Sequence, residues 1–392
     1  MVKKKYFTSI SIGVATVWFS THCGAGFASG TQELQYFANH GWFGVLMPII
    51  TFAIIAFTYY IGLETARQTD KWGYDLWSRE AFGSKSKFLT PAMDFSIIIT
   101  TIAATAATIA TGGLLGNQYL GLPIAVGSIA MFVIVTLLSI FGENIVRKNA
   151  MIMTSAILII ITIVLVAGLI KFAPDIARLF KAGYVNPQSA RWSISGKGAP
   201  VPGNVGNSLL WALTYAGFQI SAIGGIAASF KGGKFKEEAK TIGAVINILM
   251  LIGICLLIFS QMPHIFTDQA TRKLPTVFIV NQLNIPVLAV LYPILLFLAL
   301  ITTAVGFIFG MVQRLDPYVL KNMESKPILR KAIISICCLL VCYGVSNFGL
   351  MWVIQVAYKY LGIFNWIFII LPLWFLGYKN IKKRDKGEKL EV

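Results

Sequence analysis

The residues of this chain best placed to bind or transfer anything fall in three short stretches. The first is Cys23-Gly24-Ala25-Gly26-Phe27-Ala28-Ser29-Gly30, with His22 before it and Glu33 after it. Glycine at 24, 26 and 30 strips side-chain cover from the backbone and favours non-helical dihedrals. Within hydrocarbon, an opened helix is tolerated only where protein or a water-filled cavity satisfies its N–H and C=O groups. A helix broken there could receive a carboxylate on its N–H groups and a cation on its freed carbonyls. The spacing of Gly26 and Gly30 equally permits a small-residue packing face between helices, and the motif alone does not separate the two readings.

The second stretch, residues 213–221, contains Ala216, Gly217, Phe218 and Gln219 and is followed by Gly224 and Gly225. It opens the second half of the chain as 24–30 opens the first. Glycine-interrupted helices in corresponding places of two halves point to an inverted-repeat transporter, although no sequence identity between the halves is visible. The third stretch is Thr302-Thr303. Adjacent buried hydroxyls ordinarily bond back to the carbonyl four residues earlier. They could instead join freed carbonyls in holding Na⁺, a hard cation that favours oxygen ligands. His22 could titrate near neutral pH and couple proton movement, or sit neutral and hydrogen-bonded inside the bundle.

No CxxC, HExxH or GK[ST] loop is present, and Cys23, Cys255, Cys337, Cys338 and Cys342 fall in apolar runs as buried thiols. We therefore expect no catalytic residue, no metal site and no cofactor beyond a coupling ion. A membrane-embedded enzyme would need a nucleophile with its base, and His40 and His264 fall in loops.

These stretches need helices to hold them in a membrane, and the composition requires that setting. Apolar residues make up 56% of 392, charged residues 12%, and the mean hydropathy is +0.73, too little charge to cover a soluble fold of this size. Apolar runs at 9–37, 43–63, 95–115, 123–141, 150–170, 208–230, 242–259, 285–311, 332–348 and 363–378 predict ten crossings. Residues 351–360 read as a short interfacial helix before the last. The basic, aromatic segment 66–87 reads as an amphipathic helix in the interface. Residues 174–207 and 262–284 read as long external segments, the first irregular after 180. The polar residues of the first run argue against a cleavable leader.

The net charge of +17 comes from Lys and Arg concentrated in alternate loops, including Lys3–Lys5 and the tail from 379. This predicts both termini in the cytoplasm of a multi-pass plasma (inner) membrane protein and removes any need for nucleic acid as a partner. The predicted organisation is one domain over 1–392. It comprises a first repeat at 7–170, an external segment at 171–207, a second repeat at 208–378 and a basic tail at 379–392. The expected partners are the lipid bilayer and a small-molecule substrate; the sequence does not specify an oligomeric state.

The segment Gly24–Gly30 followed by Glu33, Leu34, Gln35, Tyr36 and Phe37 resembles the first helix of the YkvI-type membrane proteins. These are classed as amino acid permeases of the amino acid–polyamine–organocation superfamily. The resemblance implies an all-α, LeuT-like fold of two inverted five-helix repeats, helices one and six broken at mid-membrane, and secondary transport by alternating access. It implies that the carbonyls of Ser20 and Cys23 with the hydroxyls of Thr302 and Thr303 bind a coupling Na⁺. The substrate, an amino acid or related zwitterion, would meet Gly24, Ala25 and Gly26, and then Ala216, Gly217, Phe218 and Gln219. Two departures stand out. Glu33 follows the last glycine by three residues rather than two, about 100° further round a helix. His22-Cys23 replace small or branched apolar residues. Proton coupling through His22 or Glu33 is the alternative, and a non-transporting sensor or an embedded enzyme stands behind it.

Overall fold

The computed structural model describes residues 8–141, 143–195, 198–240, 242–266, 269–316, 318–323 and 325–388. Lys3–Lys5, Gly196, Lys197 and Lys389 lie outside them. Among the described residues nine helices are long and apolar enough to cross a membrane. The first crossing, broken into Ser9–His22, Ala25–Ser29 and Thr31–Tyr36, makes the tenth. Span two is Met47–Thr69, span three Ser86–Leu120, span four Ile124–Phe141 and span five Glu143–Lys181. Span six runs from Val205 to Ser229, span seven is Ile242–Ser260, span eight Pro286–Leu315 and span nine Pro327–Ser346.

The last span differs from expectation. Residues 351–360 are not a separate interfacial helix but the first part of one continuous span, Leu350–Asp385. Gln355, Lys359 and Asn365 interrupt its hydropathy, yet each turns inward to a partner. Gln355 Nε2 donates to Gln35 Oε1 (2.8 Å), Lys359 Nζ to the Ser193 carbonyl (2.9 Å), and Asn365 Nδ2 to the Gly217 carbonyl (2.9 Å). Three π-helical turns, beginning at Val353, Trp366 and Leu373, adjust the span's register to its neighbours.

The two ends of the bundle differ in chemistry. One end gathers the basic loops. There Arg67 pairs with Glu64 (2.7 Å), Lys236 with Asp385 (2.6 Å), and Arg384 with Glu80 (3.0 Å). The short helix Tyr74–Phe82 lies at this end, and Trp77 and Phe82 are buried against protein rather than spread on a lipid surface. At the opposite end span five continues to Lys181, and beyond it Ser189 and Val201 form an antiparallel bridge. The second excursion there folds into short helices at Met262–Ile265, Gln269–Lys273 and Pro275–Gln282.

Candidate functional site

The break in span one begins where Cys23 leaves helical geometry and Gly24 becomes extended (φ −79°, ψ −170°). The chain resumes for five residues and turns again at Gly30, whose φ of +79° only glycine adopts readily. Thr276 Oγ1 would lie 2.2 Å from a Cβ there, so space and dihedral both demand glycine. Gly30 thus serves both the break and the close approach of the short helix Pro275–Gln282.

Beside the break lies a cavity of about 330 Å³, walled by spans one, three, six, eight and ten. Thr21, His22, Gly24 and Ala25 border it from span one, and Thr303 from span eight. A Cβ on Gly24 would come within 4.0 Å of the Thr303 methyl, Cγ2, so the break lies directly against Thr303 of span eight. Phe218 and Gln219 border the cavity from span six, with Tyr358 stacked on Phe218 (centroids 4.6 Å apart, 5° between planes). Towards the basic end the cavity reaches Tyr74 and Arg314. Arg314 pairs with Asp94, Tyr74 Oη donates to the same carboxylate (2.6 Å), and the guanidinium lies 5.0 Å above the Tyr74 ring.

The opposite side is sealed. Tyr36 and Phe37 pack against Trp211, Tyr215 and Phe218. Above them His40 Nδ1 bonds Ser189 Oγ (2.6 Å), and Trp192 Nε1 donates to Thr214 Oγ1 (2.8 Å). His40 lies beyond the end of span one, and burial pushes its imidazole down from 6.5 to about 3.

The residues singled out from the sequence divide accordingly. Gly24, Ala25, Phe218, Gln219, His22 and Thr303 converge on the cavity. Ser20 is exposed and Cys23 buried, and neither borders it. Ala216 and Gly217 are turned away from it, Gly217 into span ten. Thr302 Oγ1 bonds the carbonyls of Leu298 (3.1 Å) and Ala299 (3.0 Å) in its own helix. His22 is held at both nitrogens: Nδ1 against Asn247 Oδ1 (2.8 Å), Nε2 against the Tyr215 hydroxyl. Asn247 Nδ2 donates to the Gly243 carbonyl (2.8 Å), which leaves its oxygen for His22 and so places the imidazole proton on Nδ1. Glu33 is fully buried, within electrostatic reach of Cys23, Tyr215, Cys255 and Tyr292. Among the described residues neither of its carboxylate oxygens has a hydrogen-bond partner.

The expected break in span six takes a milder form. It is one tightened 3₁₀ turn, Ile220–Ala222, with no left-handed residue, and the helix resumes through Ser229. Sequence reasoning also passed over Gln32 and Arg314, since a polar residue at a helix end ordinarily signals only solvent.

No family model and no curated sequence matches the chain. Solved structures match it along almost its whole length. MhsT, in complex with L-phenylalanine, superposes with a TM-score of 0.62 at 13% identity over 99% of this chain and all of that one. A Na⁺-coupled sialic acid symporter in a substrate-bound outward-open state gives 0.58 at 10% over 94% and 90%. A manganese transporter from Eremococcus coleocola gives 0.55 at 14% over 95% and 84%. The chain is thus an all-helical, multi-pass membrane protein with a LeuT-like fold.

Proposed function

We propose that the protein is a secondary active transporter that moves an amino acid or related zwitterion by alternating access, coupled to Na⁺, with its basic end in the cytoplasm. The observation that carries this reading is the cavity where the opened backbone of span one faces span six and Thr303. Its size suits a small organic solute. Among the described residues its lining is of hydroxyl, amide, imidazole and apolar groups, with the Arg314 guanidinium at one mouth. The substrate's carboxylate is assigned to Gly24–Gly26, and the solute's body to Phe218 and Gln219. The coupling ion is assigned to the carbonyls of Ser20 and Cys23 with Thr303, Thr302 contributing less because it does not border the cavity. The YkvI resemblance rests on the motif of the first helix.

The test is uptake into proteoliposomes under an imposed Na⁺ gradient. Thr303→Ala should raise the Na⁺ concentration for half-maximal uptake at least about tenfold, about 1.4 kcal/mol. Thr302→Ala should change it far less. Equal, wild-type sodium dependence in both variants overturns the ion assignment.

One observation favours a second reading, proton coupling: the buried, unpartnered carboxyl of Glu33. An isolated charge there is expensive, so the group would be carried protonated. Uptake driven by a pH gradient without sodium, and lost in Glu33→Gln, would establish it. His22 is the weaker carrier, since both ring nitrogens are engaged.

A further inference from the structure

Gln32 is a cavity-wall group with a polar atom left unused. It is 5% exposed, it borders the cavity, and among the described residues its Oε1 has no hydrogen-bond partner. Its side chain folds back across the break in span one. A Cβ on Gly26 would fall 2.3 Å from both Cδ and Nε2, and 2.4 Å from Cγ. The Gln32 side chain fills the space a Cβ at 26 would take, and Gly26 has no left-handed φ of its own. The amide thus lies against the broken backbone at the cavity wall, beside Gly24 and Ala25, as a flexible polar end whose oxygen is unpaired. Two other polar groups at the cavity are committed. His22 is engaged at both nitrogens, and Arg314, at the far mouth, is tied to Asp94.

We propose that the Gln32 amide holds the head group of an α-amino acid in the cavity, Oε1 accepting from its ammonium and Nε2 donating to its carboxylate. A half-turn about the last side-chain torsion sets which end faces which group. A neutral amide suits a head group whose own charges cancel. An acid or a base in its place would favour one charge and repel the other. This proposal rests on the amino acid reading above and adds the residue that recognises the head group.

The test uses purified full-length protein in detergent, with binding followed by thermal stabilisation and by titration. The probes are the twenty standard amino acids, and then the amines isoamylamine and phenethylamine, which lack the carboxylate of leucine and phenylalanine. Gln32→Met keeps the bulk and removes both hydrogen-bonding ends, and should weaken amino acid binding at least about tenfold. Gln32→Glu keeps the acceptor and loses the donor, so it should reverse the preference and bind the amine more tightly than the amino acid. Gly26→Ala, which displaces the amide, should reproduce the Gln32→Met loss. Amino acid affinity and amine discrimination unchanged in both Gln32 variants overturn the proposal alone. A wild-type protein that binds none of the twenty amino acids overturns the amino acid reading and this proposal with it.

Discussion

Spans one and six carry glycines at matching places in the two halves of the chain, yet only span one opens. Span one bends at Gly24 and again at Gly30, where a positive φ and the neighbouring Thr276 leave no room for a side chain. Span six merely tightens for one turn, and protein groups take up its carbonyls. Asn365 and Tyr59 donate to those of Gly217 (2.9 Å) and Gln219 (3.0 Å), and Trp366 to that of Leu213 (2.6 Å). Ser221 Oγ in turn sits between Asn365 (2.9 Å) and Ser96 (2.8 Å). The difference teaches that glycine in a membrane helix has several uses. In span one it supplies a left-handed turn and space for the Gln32 amide. At 217 it lets two backbones touch, and at 225 it leaves open space.

The sharpest way to break this comparison is to add one methyl at two places in the same helix. A Cβ on Gly217 would lie 2.3 Å from the Gly362 carbonyl oxygen and 2.9 Å from its Cα, and neither is a flexible side chain that could give way. Gly217→Ala should therefore cost about 3 kcal/mol, seen as a lowered thermal midpoint in detergent. Gly225→Ala, with nothing within 4 Å, should stay within about 0.5 kcal/mol of wild type. Similar losses in both would mean that span six does not use its glycines differently.

A smaller effect separates the polar supports of the two spans. Asn247→Leu leaves the buried His22 Nδ1–H without an acceptor beside the open break, and should cost about 2 kcal/mol. Asn365→Leu removes a donor from the Gly217 carbonyl, which still accepts from the Ile220 amide. It should cost about 1 kcal/mol. The reverse order would make span six the more dependent on side-chain support.

The third effect concerns the seal where the two spans meet at the end opposite the basic loops, His40 against Ser189 and Trp211. Its depressed folded-state value means that, between pH 6.5 and about 3, the unfolded chain binds a proton that the folded chain refuses. Stability is therefore intact above about pH 6.5 and falls as the solution is acidified, by about 2 kcal/mol at about pH 5. In His40→Gln the thermal midpoint should fall less between pH 8 and pH 5, roughly. An identical fall in both proteins would remove His40 as the cause.

The ten crossings and the break at Gly24 were legible because apolar length and consecutive glycines act locally, through hydropathy and backbone freedom. Thr303 was legible as a type, but its sequence neighbour Thr302 looked equal to it. Only the helix rotation brings Thr303 to the cavity and leaves Thr302 off it, bonded to carbonyls of its own helix. Residues 351–360 looked like a separate interfacial helix, because nothing local reveals that Gln355 and Lys359 each meet a group more than a hundred residues away. Gln32 gave no signal at all. What distinguishes it is the empty side of Gly26, six residues earlier and across a turn that local periodicity does not describe.

The crossing of Gly217 over Gly362 has a mechanical consequence. Backbone meets backbone there with no side chain between, so the joint has no compressible layer to absorb a displacement. Phe218 and Tyr358 stand on either side of that joint with their rings stacked. A shift of span six that moves one wall of the cavity is handed to span ten without slack, and the two aromatic faces travel together as a single jaw.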